Sequence, residues 1–188
     1  VKRFLLPIAA SLLAYGLAYD TTVDINTTGV SSDGVLFEVT APASMNFVFD
    51  FTQPGSNSPT DLNKANWAAF QNIVASNTPK YLNATGQESY VVTVTSNASY
   101  QLVVGVPTVT GTGFGLDRYL LSVSWPTTSG TSTTGKLLSY ITAPWTVLTG
   151  SPGQTSYTLK LTVFVRPTDV PSNYNQTISI PLILTPTP

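Results

Sequence analysis

The chain is 188 residues long with a net charge of −1, and only 9% of it is charged, so it carries no basic field for holding nucleic acid. It has no His and no Cys, which removes Ser-His-Asp and Cys-His catalysis, imidazole or thiolate metal sites, and disulfides. What is left is carboxylate chemistry, yet Glu38, Asp50, Asp61, Glu88, Asp117 and Asp169 are scattered without a paired motif and read as surface or turn residues. No enzyme activity, cofactor or metal is expected. Ser and Thr number 48, a hydrogen-bonding surface that does not depend on ionisation and so tolerates acid or salt.

Residues 1–18 have the parts of a secretory leader: Lys2 and Arg3, an apolar stretch over residues 4–17, and small residues Gly16 and Ala18 before an expected cleavage. Pro7 and Ser11 interrupt the apolar stretch, and it falls short of the roughly 20 residues that span a bilayer. The other reading is a retained apolar arm. Residues 19–34 read as an extended arm and linker. Tyr19, Thr21, Val23, Ile25 and Thr27 fall on one side of the chain, Asp20, Thr22, Asp24, Asn26 and Thr28 on the other, and a Gly- and Ser-containing linker follows.

Residues 35–188 form the head. Apolar alternation over residues 35–40, 45–51, 90–95, 100–106, 119–125, 137–141, 157–165 and 178–184, rich in Val, Ile, Thr, Tyr and Phe, predicts an all-β antiparallel sandwich of seven to nine strands in two sheets. One helix is expected over residues 61–76, capped by Asp61 and covering one end of the sandwich, because Leu62, Ala65, Ala69 and Ile73 recur at helical spacing with Trp67 and Phe70. Residues 53–59 and 126–135 read as surface hairpin ends. Residues 111–115 read Gly-Thr-Gly-Phe-Gly, but a strand rather than a helix follows them, so a turn is expected in place of a phosphate loop. Trp67, Trp125 and Trp145 sit in apolar contexts and are assigned to the core rather than to a sugar platform.

In the last strand Ile178, Ile180, Leu182 and Leu184 make an apolar face, and Pro181 removes a backbone donor, which predicts an edge position. An open apolar edge is a liability that the arm of a neighbouring copy would remove by adding a strand. Asn26, Asn83, Asn97 and Asn175 each begin an Asn-x-Ser/Thr acceptor for N-linked glycan. Four is close to the number that chance allows in so Ser- and Thr-rich a chain, so their weight comes from the export signal. Asn83 and Asn97, in turns flanking the strand around Tyr90, are the first choices.

The leader ending at Ala18, the alternating arm from Tyr19, the Cys-free Thr-rich sandwich, the four acceptors and the apolar final strand together resemble the archaeal thread pilins, which assemble by donor-strand complementation. The resemblance covers the whole chain as architecture and composition, without a diagnostic short motif. It implies an immunoglobulin-like or pilin-like β-sandwich in an extracellular, cell-surface filament. The implied partners are copies of the same chain in a homopolymer, covalent N-linked glycans, and surface or cell contacts. Two other classes fit parts of the pattern: a type IV-like pilin retaining an N-terminal helix, and a secreted carbohydrate-binding or surface-layer module with the arm in its own sheet.

Overall fold

A computed structural model of the chain describes residues 24–30, 36–42, 44–53, 65–171 and 173–187. The expected leader, the arm positions Tyr19, Thr21 and Val23, most of the 53–59 loop and the expected helix cap Asp61 lie outside the described residues. Twelve strands are found among those described: β1 (Asp24–Val30), β2 (Leu36–Pro42), β3 (Ser44–Asp50), β4 (Lys80–Asn83), β5 (Ser89–Ser96), β6 (Tyr100–Val104), β7 (Thr108–Thr112), β8 (Tyr119–Thr127), β9 (Gly130–Leu137), β10 (Trp145–Gly150), β11 (Gly153–Val165) and β12 (Asn175–Pro186). They make two antiparallel sheets packed as a sandwich. One runs β1-β2-β5-β11-β8-β9, with β4 continuing the β5 side of β11; the other runs β10-β6-β12-β3, with β7 continuing the β6 side of β12.

Alternation builds the core. Along β11, Tyr157, Leu159, Leu161, Val163 and Val165 are buried, while Thr158, Lys160 and Thr162 face outward. Met45, Phe47 and Phe49 of β3 and Ile178 and Ile180 of β12 meet them from the other sheet. Each such buried side chain contributes about 1.5–3 kcal/mol of transfer free energy. Trp67, Trp125 and Trp145 are half-buried against this core. Its polar atoms are paired: the Tyr100 and Tyr157 hydroxyls lie 2.6 Å apart, and the Tyr119 hydroxyl donates to Gln176, whose amide donates to the Phe114 carbonyl at 3.4 Å. Burial first pushes the Tyr119 and Tyr157 phenols well above their ordinary range, and the bond to Tyr100 adds to the effect at Tyr157.

Residues 126–135 form the expected surface hairpin end, paired almost to its tip: β8 runs on to Thr127, and β9 returns opposite it after a two-residue turn, with Thr127 paired to Gly130. β9 is an exposed edge strand, so it shows the strand propensity of its β-branched Thr residues without an apolar alternation. Residues 138–140 of the expected sixth strand region form a 3-10 turn instead, burying Leu138 as the chain crosses between sheets. Lys136 then lies 5.4 Å over the Trp145 ring, tying β9 to β10.

The helix α1 (Ala65–Ser76) buries Asn66, Phe70 and Ile73, spaced i, i+4, i+7. Its end is a Schellman arrangement: Asn77 adopts φ 49°, its N–H donates to the Val74 carbonyl, and the Thr78 N–H donates to Ile73, just before Pro79. It packs against β3 and β4, beside an edge strand.

Candidate functional site

The described part of the arm, β1, pairs along its whole length with β2 of its own chain, from Asp24 opposite Pro42 to Val30 opposite Leu36. Ile25 and Thr27 take the register positions opposite Ala41 and Val39, both of which are buried. This hairpin is the outermost element at one end of the seven-stranded sheet, and β1 pairs with no other described strand. β2 and β3 are separated by residue 43 alone, and there the chain leaves one sheet for the other.

The expected edge position of the last strand is corrected over its first part. Over residues 175–179, β12 lies between β3 and β7 and is paired on both sides, so Ile178 is an interior position, and Ile180, still paired to β3, has no exposed surface either. Pro181 is tolerated there because its missing N–H falls where the neighbouring strands break. The β3 ladder ends at Ser44 opposite it, and on the other side β6 gives way to β7 around Gly105, whose N–H donates to the Pro181 carbonyl at 2.8 Å. Residues 182–186, including buried Leu182 and half-buried Leu184, pair with β6 and with no other described strand. The glycines of residues 111–115 belong to the same crossing. A Cβ at Gly111, whose φ is +83°, would meet the Asn175 carbonyl oxygen at 2.1 Å, so this segment is a close approach to β12 rather than a ligand loop.

At the opposite edge, β3 is capped by two side chains and a backbone bridge. The Tyr90 hydroxyl donates to the Asn46 carbonyl at 2.8 Å and accepts from the Asn46 N–H at 3.1 Å. The Thr85 N–H donates to the Val48 carbonyl at 2.6 Å, and the Asn66 side-chain oxygen accepts from the Asp50 N–H at 3.2 Å. Asn66 also accepts from the Thr85 hydroxyl and donates to the Asn83 carbonyl at 2.9 Å. Successive outward-facing backbone groups of β3 are thus satisfied without a further strand. Neither Asn66 nor Tyr90 is a functional candidate by sequence alone. The available signal is a polar residue at the apolar spacing of Phe70 and Ile73.

The four glycan acceptors differ in setting. Asn97 is exposed in the turn between β5 and β6. Asn175 is exposed at the start of β12, with its amide 3.5 Å from an Asp50 carboxylate oxygen. Asn83 ends β4 and donates to the Glu88 carboxylate at 2.8 Å. Asn26 sits opposite Thr40 in the β1–β2 ladder. Among the described residues no group of three or more acidic side chains is placed to hold a metal ion, and no helix is long and apolar enough to cross a membrane. Comparison with protein-family models, with curated proteins and with solved structures finds no match in any of the three.

Proposed function

We propose that the chain is the structural subunit of an extracellular filament of the thread-pilin kind, joined head to tail by exchange of its N-terminal strand. The observation that carries this reading is the attachment of β1 by one ladder at the outer end of a sheet. Exchange then costs little, because β1 of one copy remakes on β2 of the next copy the hydrogen bonds it makes here within its own chain. An exchanged element whose geometry does not close on itself generates an open polymer. The acceptor edge in this reading is β2, with Val39 and Ala41 beneath the incoming strand, rather than Ile178 and Ile180 of β12. The arm positions Tyr19, Thr21, Val23, Ile25 and Thr27 form the donor face. The leader, the low charge and the absence of His and Cys support an exported structural role over catalysis.

The absence of native Cys makes a clean test. Thr28 and Glu38 are register partners, and facing residues of antiparallel strands lie about 4.5–5.5 Å apart, within disulfide reach. Oxidising a Thr28→Cys, Glu38→Cys protein before assembly locks the arm at home; polymerisation stops and returns on reduction. Oxidation after assembly links successive subunits into a ladder on a non-reducing gel. Thr28→Cys alone, which also ends the Asn26 acceptor, is the control. Normal filaments from the locked protein, or only intrachain disulfides within filaments, overturn the proposal. A locked, monomeric protein that binds free glycan favours the secreted carbohydrate-binding module instead.

A further inference from the structure

Among the four acceptors, Asn83 alone has an aromatic residue two positions before it: Tyr81-Leu82-Asn83-Ala84-Thr85. The corresponding residues are Asp24, Thr95 and Asn173 for Asn26, Asn97 and Asn175. On β4 that spacing places Tyr81 and Asn83 on the same side of the sheet, opposite Phe164 and Thr162 of β11, with Leu82 turned to the other side opposite buried Val163. The Tyr81 ring leans on Phe164 at a centroid separation of 5.0 Å and a tilt of 47°, yet 52% of the residue stays exposed. Tyr81, Asn83 and Glu88 border one open cleft at the foot of α1. Glu88 accepts from the Asn83 amide at 2.8 Å, which orients the nitrogen that would carry a sugar.

We infer that Asn83 is a glycosylated position whose first sugar lies on the open surface of the Tyr81 ring, making Tyr81 a platform that anchors the glycan to the sandwich. The apolar C–H face of a pyranose buries against an aromatic ring, and two same-side residues on a strand stand about 6–7 Å apart, a spacing that one sugar ring bridges. The transfer uses a sugar activated as a glycosyl phosphate on a lipid carrier and a transferase of the exporting cell. The Asn83 Nδ2–C1 bond forms, the C1–O bond to phosphate breaks, and one amide proton leaves with the phosphate. The remaining amide N–H still donates to Glu88. This inference rests on the exported reading above, since the donor and transferase belong to that route. It also gives a role to a large aromatic ring left half-exposed on the outer face of the sheet.

The test uses the protein exported from its own cells, with Asn83→Gln combined with Tyr81→Phe and with Tyr81→Ala. Glycopeptide mass spectrometry is expected to find Asn83 occupied. Removing that glycan by Asn83→Gln should lower the thermal midpoint by about 2–4 °C in the native and Tyr81→Phe backgrounds, and by less than about 1 °C in the Tyr81→Ala background. Equal losses in all backgrounds, or an unmodified Asn83 in protein whose other acceptors are occupied, overturn the inference. Should Tyr81→Ala fail to fold, NMR of the native glycoprotein decides: upfield ring-current shifts of the first sugar's protons support the platform, and their absence overturns it. Filaments lacking a glycan on Asn83 overturn this inference and leave the filament proposal standing. A Tyr81-anchored glycan on a protein that never polymerises does the reverse.

Discussion

The two edges formed by the sheet-switching strand pair, β3 on one side and β2 with its hairpin partner on the other, solve the same problem in opposite ways. A sheet edge leaves backbone donors and acceptors open to any passing strand. Around β3 these groups are bound by Tyr90, Thr85 and Asn66, drawn from a neighbouring strand, a loop and a helix. Along β2 they are bound by β1, which becomes the outermost strand there and pairs with no other described strand. The groups that cap β3 belong to β5, the β4–β5 loop and α1, elements held by further contacts of their own. In the proposed exchange an identical strand of another copy would replace β1 without loss of bonds. The contrast teaches that pairing alone does not separate a sealed edge from an exchangeable one; what else anchors the pairing group does.

The largest expected effect tests the exchangeable edge. Deleting residues 19–28 should leave a folded head, with cooperative unfolding retained, while filaments seen by electron microscopy go from normal length to none. Filaments of normal length would erase the functional side of the comparison. Next comes the sealed edge. Asn66→Ala leaves the Asp50 N–H and the Asn83 carbonyl without their partner and should cost about 2–4 kcal/mol in urea unfolding, since each orphaned buried group costs about 1–3 kcal/mol. A loss below about 1 kcal/mol would mean that the cap is decorative. Tyr90→Phe keeps the edge-to-face packing on Phe47 but removes the hydroxyl from Asn46, and should cost about 1–2 kcal/mol. It should also raise concentration-dependent self-association measured by sedimentation, because an edge has been opened.

The smallest effect distinguishes the shared interior from either edge. The buried Tyr119 and Tyr157 phenols hold their protons more tightly folded than unfolded, where the ordinary value is 10.0. The folded form therefore keeps protons that the unfolded chain gives up. Their contribution to stability is complete below about pH 10 and is lost progressively as pH rises above it. Urea midpoints should show this alkaline decline, and Tyr119→Phe should shallow it. A decline unchanged in both Tyr119→Phe and Tyr157→Phe would show that other groups cause it.

Much of the sandwich was legible because its inner strands repeat every two residues. β2, β3, β5, β6, β8, β11 and β12 each alternate between core and outer face, and that period is a local property. β4, β7, β9 and β10 were not legible, since short or exposed strands have no buried face to write an alternation; all five residues of β7 are exposed. The helix was placed correctly in its later turns: of the residues expected at helical spacing Phe70 and Ile73 are buried, and Asn66, not expected there, joins them. Of the candidate site the sequence shows an alternating arm and four glycan acceptors, whereas the two-sided pairing of β12 over residues 175–179 has no local signal. Pro181 is the same residue at an edge or at a break in its neighbours, and only the neighbours tell the two apart.

By itself, then, the sequence determined the class of the fold, the chemistry denied to a chain without His or Cys, the alternating arm, and the Tyr81-Leu82-Asn83 spacing, for all of these are set by composition or by residues within a few positions. Only the tertiary structure decided that β12 is interior over residues 175–179, that β1 lies on β2, and that β3 is capped by Tyr90, Thr85 and Asn66. Those facts depend on contacts between residues far apart in the chain: Tyr90 reaches Asn46 across 44 positions. Packing selects such partners after the local pattern has been satisfied, and no local pattern encodes them.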